Sequence, residues 1–277
     1  MSEFKVLGKD NVLLGEGPMW DDDLQRVKYI DINGKSLITL NLDTEQCEVL
    51  DLPEQTGCIA KCSDGRYLYA ATTAVFDDKL NRICSFPNGK GARFNDGKAT
   101  PDGKFLVGTI ERNCGGGLYC LENGKLTEKI GGVSISNGLD WSLDNKILYY
   151  CDTPTRKIVA YSYPEFEFIK TVIDFNEIDG FTGNPDGLCI DMNENLWVAI
   201  WGGSCVVCVD TKTSKITQKI DFPVKYISCP SFVGKNMDLL FLTSAKHDDT
   251  ASLAGKCFVL DVGVTGRKPY KVDTKNL

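Results

Sequence analysis

The chain has little histidine: one residue, His247, in 277. It cannot build a zinc site of the histidine-rich kind, which draws on several imidazoles. No stretch of eighteen uncharged apolar residues occurs, and the opening MSEFKVL has no long apolar run, so neither a signal peptide nor a membrane span is expected. The expected location is cytoplasmic. Lysine and arginine nowhere cluster, and 31 basic against 38 acidic residues leave a net charge of −7. Such a surface repels phosphate, which argues against nucleic acid or an anionic membrane as partner. Small molecules and cations suit it better. Long amphipathic helical patterns are missing, and so is any second CxxC beside Cys205-Val-Val-Cys208. Residues three apart on a strand face opposite sides, which disfavours that pair as half of a zinc or redox site. The twelve cysteines are scattered through a chain too long to need disulfide staples and are expected to be mostly buried thiols.

What is present is a repeat. Short runs rich in aromatic and β-branched residues recur at Val27 to Ile32, Tyr67 to Thr72, Phe105 to Ile110, Ile147 to Asp152, Leu196 to Trp201 and Leu239 to Ser244. Their starts lie 40, 38, 42, 49 and 43 residues apart. Turn signals such as Asp64-Gly65 and Asp102-Gly103 precede most of them. A second strand-like run follows most, as at Ser36 to Leu42, Gly117 to Leu121, Lys157 to Tyr163, Cys205 to Asp210 and Lys256 to Asp261. A period near forty residues built of short strands and polar turns matches the blade of a β-propeller. The composition, 42% hydrophobic and 25% charged, is that of a globular protein, and the repeat crosses the middle of the chain without a linker. The expectation is all-β: one six-bladed propeller domain over residues 1–277.

A short Gly- or Pro-containing motif precedes each run: Gly15-Glu16-Gly17-Pro18, Gly57-Cys58-Ile59, Phe94-Asn95-Asp96-Gly97, Ser136-Asn137-Gly138, Pro185-Asp186-Gly187 and Ser228-Cys229-Pro230. Asn95 to Asp102, Asn137 to Asp144, Asp186 to Asn193, Cys229 to Asn236 and Glu16 to Asp23 are all seven residues apart, so the motifs share one register. Rotation about a propeller axis turns equivalent positions into a ring at one end of the central channel. Glu16, Asn95, Asn137 and Asp186 would meet there. Two carboxylates and two amides crowded together call for a positive charge between them, and one hard divalent cation answers that need. Calcium is the first expectation, with zinc, manganese, magnesium or ferrous iron as alternatives. Asn-Gly and Asp-Gly also make tight turns, but turn chemistry does not account for Glu16 in the same register. The runs Asp21-Asp22-Asp23 and Asp248-Asp249 are read as solvated loops.

Four blocks, Gly15-Glu16-Gly17-Pro18-Met19-Trp20, Arg93-Phe94-Asn95-Asp96-Gly97-Lys98, Ser136-Asn137-Gly138-Leu139-Asp140-Trp141 and Asn184-Pro185-Asp186-Gly187-Leu188, resemble the signature blocks of the gluconolactonase, regucalcin and luciferin-regenerating family. Leu196-Trp197-Val198-Ala199, Ser228-Cys229-Pro230-Ser231-Phe232 and Leu242-Thr243-Ser244-Ala245 follow in the family's order, so the likeness spans nearly the whole chain. The resemblance implies a six-bladed propeller in which Glu16, Asn137 and Asp186 bind the metal while Arg93 and Asn95 contact substrate. Relatives of the regucalcin type carry a substrate-contacting carboxylate near the position that is Asn113 here, a departure from the family pattern with Glu111 and Arg112 just before it, so Glu111 and Asn113 are the candidates for that contact.

The implied activity is hydrolysis of sugar lactones, and a monomer is expected. A lactone carbonyl must be polarised and attacked by water, chemistry that a divalent cation assists. Asp186 is the candidate general base and acid, and Arg93 supplies fixed positive charge for an oxyanion or donors for sugar hydroxyls. A non-catalytic calcium-binding regulator and a metal-dependent phosphotriesterase are the other activities the same scaffold serves.

Overall fold

The structure, a computed structural model, describes residues 4–87 and 92–277. After β1 (Lys5–Leu7) the strands come in groups. The first holds β2 (Gly15–Asp21), β3 (Arg26–Asp31), β4 (Ser36–Leu40) and β5 (Cys47–Asp51), and the second β6 (Thr56–Lys61), β7 (Tyr67–Ala71), β8 (Ala74–Asp77) and β9 (Arg82–Ser85). The third holds β10 (Arg93–Ala99), β11 (Phe105–Ile110), β12 (Gly116–Glu122) and β13 (Lys125–Val133), and the fourth β14 (Ser136–Trp141), β15 (Ile147–Asp152), β16 (Lys157–Ser162) and β17 (Phe168–Asp174). These make four separate four-stranded antiparallel sheets. The fifth group, β18 (Asn184–Ile190), β19 (Asn195–Trp201), β20 (Cys205–Asp210) and β21 (Lys215–Asp221), is joined to β22 (Tyr226–Val233), β23 (Leu239–Ala245) and β24 (Cys257–Asp261) by the single pairing of Trp201 with Tyr226. Among the described residues the only helical segments are short 3-10 turns.

Strand β1 adds to β24, with Val6 opposite Phe258, so the N-terminal segment supplies the fourth strand of the last group. The first strands neighbour one another in order, β2, β6, β10, β14, β18 and β22, and β22 lies against β2 again. Burial follows that arrangement. Inner strands such as β6 and β14 are buried along their whole length, whereas the outer β5, β17 and β21 are largely exposed. A strand buried on both faces reads as a continuous apolar run, which is why the second strands were legible.

Apolar side chains weld each group to the next. Met19 and Ile30 pack with Ile59 and Tyr69, Phe94 and Phe105 with Leu68 and Ala60, Trp141 and Tyr150 with Leu106 and Leu118, and Phe175 and Ile158 with Val198 and Val207. Trp197, Phe241, Phe258 and Tyr29 share one core, in which the Tyr29 and Phe241 rings lie 6.0 Å apart, so the same core spans the last two junctions. Cys205 and Cys208 fall in different cores, on opposite faces of β20, as strand geometry requires. Asp21 departs from the reading as a solvated loop residue: it is fully buried at the end of β2, 2.5 Å from Lys61 Nζ and hydrogen-bonded by the Tyr67 hydroxyl. The chain ends as a strap across the far ends of the groups, where Val272 bonds Lys61 and Ser63, and Asp273 bonds Gly103.

Candidate functional site

Each first strand breaks register at one place: between Glu16 and Met19, Thr56 and Cys58, Phe94 and Gly97, Ser136 and Leu139, Pro185 and Leu188, and Ile227 and Pro230. Bulges of this kind bend a strand and re-aim a side chain, and they favour active sites. The motifs are therefore parts of strands rather than turns before strands. Their glycines serve close approach: a Cβ on Gly138 would stand 2.6 Å from the Asp186 carbonyl oxygen, and one on Gly187 2.4 Å from Cys229 Sγ. Of the glycines in these motifs, Gly17 has the left-handed conformation, with φ 55°.

Glu16, Asn95, Asp96, Asn137 and Asp186 are all buried. Hydrogen bonds join several of them. Arg93 Nη1 donates to the Phe94 carbonyl (2.8 Å) and to Asn95 Oδ1 (2.7 Å). Asn95 Nδ2 donates to the Ser136 carbonyl (2.8 Å) and to Asn137 Oδ1 (3.0 Å). Asn137 Nδ2 donates to Thr153 Oγ1 (2.8 Å), whose hydroxyl donates to the Pro185 carbonyl (2.9 Å), one residue before Asp186. The ring expected from the seven-residue register thus brings Asn95 and Asn137 into contact.

The carboxylates feel one another. Burial, then the charge of Asp96, pushes Glu16 up to about 8, against the Gly17 N–H and Arg93. Burial, then Glu16 and Asp96, lifts Asp186 well above the carboxylate range, with Arg93 opposing. Asp96 is raised by burial, and among the described residues its Oδ2 has no hydrogen-bond partner. Burial lowers Arg93, while Glu16 and Asp186 support its charge. Among the described residues none of the three carboxylates forms an ion pair, and neither does Arg93. A surface or inter-group salt bridge therefore does not explain the arginine.

The donor chemistry favours a hard cation. Glu16 and Asp186 offer carboxylate oxygens with no countercharge bound to them, and Asn137 offers an amide oxygen. Among the described residues no three His, Cys, Asp or Glu side chains gather as a metal cluster, so the oxygen set depends on its amide. Cys58 and Cys229 share the ring, but burial, then Asp96, raises both thiols far above their usual range. Burial makes a thiolate costly at both positions, which disfavours soft metals here.

Glu111 lies just beyond Ile110, the cross-strand partner of Arg93, and its N–H bonds the Ser134 carbonyl at 2.9 Å. It is partly buried; Asn113 is exposed in the adjoining 3-10 turn with φ 62°. Both stand at the same end as Arg93, and no hydrogen bond ties either side chain to the set above. Sequence reasoning gave no role to Asp96 or Thr153. Asp96 sits in a block already singled out, whereas Thr153 joins the site only through space.

A family model described as SMP-30/Gluconolactonase/LRE-like region matches residues 14–246. Regucalcin of Danio rerio is 32% identical over 98% of this chain and 99% of that protein. YvrE of Bacillus subtilis, provisionally named a sugar lactone lactonase, is 34% identical over 86% of this chain and 85% of its own length. The crystal structure of regucalcin from Agrobacterium tumefaciens, described as a calcium-binding protein, superposes with a TM-score of 0.90 at 27% identity, covering 98% of this chain and 97% of that one.

Proposed function

The chain belongs to the SMP-30/Gluconolactonase/LRE-like family, and from that premise we propose that it is a metal-dependent hydrolase of sugar lactones. The observation that carries the reading is a pair of buried carboxylates, Glu16 and Asp186, left without an ion pair although Arg93 is near enough to influence both. Negative oxygens on one side and a guanidinium on the other suit an ester carbonyl that must be polarised and then accept negative charge. The groups of strands are read as six blades of one propeller over residues 1–277, with the bulges at the mouth of its channel. The protein is read as a cytoplasmic monomer.

In this reading Glu16, Asn137 and Asp186 hold one divalent cation. Calcium is first, supported by the description of the Agrobacterium neighbour, and zinc, manganese, magnesium and ferrous iron are the alternatives. When bound, the ion acts as a Lewis acid on the lactone carbonyl. Asp186 takes a proton from water as the water oxygen joins the carbonyl carbon. Arg93 stabilises the oxyanion, and Asn95 with Glu111 or Asn113 at the rim holds sugar hydroxyls. Asp186 then returns the proton to the ring oxygen as the acyl C–O bond breaks, leaving a hydroxy acid.

The test is acid release from a panel of aldonolactones by chelated protein, with each of the five metals added back singly. Activity that vanishes on chelation and returns with one ion supports the reading. Tight calcium binding without turnover of any lactone would replace it with a calcium-binding regulator. Turnover confined to phosphotriesters would replace it with the third activity.

A further inference from the structure

We propose that Thr153 is a positioning residue for the metal site, its hydroxyl locking the Asn137 amide with the carbonyl oxygen turned into the ring. The inference rests on the reading of Asn137 as a ligand and adds what orients it. Arg93 has only donors to offer, so Asn95 must present Oδ1 to it. That choice sends Asn95 Nδ2 toward the Ser136 carbonyl and Asn137 Oδ1. Asn137 Nδ2 then points the other way, to Thr153 Oγ1, and the Thr153 proton goes to the Pro185 carbonyl. Every bond fixes the sense of the next.

The relay crosses three groups of strands. It begins at Arg93 on β10, passes through Asn137 on β14 and the turn Thr153–Thr155 after β15, and ends on β18 beside Asp186. Thr153 thus ties the strand holding one proposed ligand to the strand holding another. Its hydroxyl is used twice, as acceptor and as donor, so its polarity matters more than its bulk. Asn137 Oδ1 accepts one bond from Asn95 and keeps a second lone pair for a cation. Without the hydroxyl, Asn137 Nδ2 would be a buried donor with no partner, and rotation of the amide to relieve it would set one NH2 against that of Asn95. Partners one step behind a ligand typically change metal affinity about 10–100-fold when removed.

The experiment is calorimetric titration of calcium into chelated parent protein, T153V, T153S and N137A, with a thermal melt of each metal-free form. T153V, of nearly the same shape, is expected to bind calcium about tenfold or more weakly. T153S keeps the hydroxyl and is expected to bind as the parent does. Should T153V fail to fold, T153A carries the same expectation. Calcium affinity unchanged in T153V while N137A has lost it overturns the role of Thr153. Unchanged affinity in N137A instead overturns the ligand reading beneath it, and equal weakening in T153V and T153S shows that the hydroxyl is not the working part.

Discussion

Two buried carboxylates, one toward each end of the first strands, titrate in opposite directions. Asp186, 4% exposed, is raised well above the carboxylate range, and Asp140, 7% exposed, is lowered. Burial pushes both upward, so the difference comes from their neighbours. At Asp140, Lys98 and Arg267 and the N–H groups of Trp141 and Ile190 more than offset burial. Arg267 arrives on the C-terminal strap, which brings a cation from the far end of the sequence. At Asp186 the charges of Glu16 and Asp96 add to burial, with Arg93 alone against them. A charge meant to hold the fold together is neutralised by the chain itself. Carboxylates left unneutralised at similar depth have kept their affinity for an external cation or a proton.

The comparison is broken most directly at Asp186. Asp186→Asn keeps the shape and removes the proposed base, so lactone turnover is expected to fall about 10²–10⁴-fold in a steady-state assay. The metal-free melting temperature should hold or rise, because a like charge has gone. Turnover at the parent level would end the claim that this carboxylate works chemically. Asp140→Asn should do the reverse. It leaves Lys98 and Arg267 without their countercharge and is expected to destabilise the fold by about 3 kcal/mol in urea denaturation, with calcium affinity preserved. Similar stability losses in the two variants would mean that the two ends do not differ in kind.

Legibility in the sequence followed the same division between local and distant partners. Phe105–Ile110 and Ile147–Asp152 are strands over the residues expected, because a strand buried on both faces writes an uninterrupted apolar run. The outer β13, Lys125–Val133, mostly exposed and polar, leaves no such run. The first strands were harder to see as strands because Asn-Gly and Asp-Gly spell turns, yet Gly138 and Gly187 are there for the neighbouring backbone or thiol. Asp21 looked solvated beside Asp22 and Asp23, since its neutralising partner, Lys61, lies forty residues on. Of the site, register and block resemblance picked out Glu16, Arg93, Asn95, Asn137 and Asp186. Thr153 had no signal to pick out, since its part depends on where Asn137 and Pro185 come together.

The comparison is sharpened last through pH, where the effect is smallest when taken one pH unit at a time. Glu16 and Asp186 hold their protons more tightly in the metal-free fold than carboxylates do in an unfolded chain. The folded state therefore binds more protons, and its stability falls as pH rises. For Glu16 the loss runs from the ordinary carboxylate value of 4.5 to about 8. The slope should be on the order of 1 kcal/mol per pH unit across that window, read from urea midpoints of chelated protein. Asp140 acts with the opposite sign: its stabilising part is complete above the ordinary carboxylate range and lost only as acid protonates it, below that window. Calcium should flatten the chelated slope if, as proposed, a cation between Glu16 and Asp186 competes with their protons. It should leave the acid limb unchanged. A chelated protein equally stable at pH 5 and pH 8 would mean that Glu16 and Asp186 are already neutralised from within, as Asp140 is.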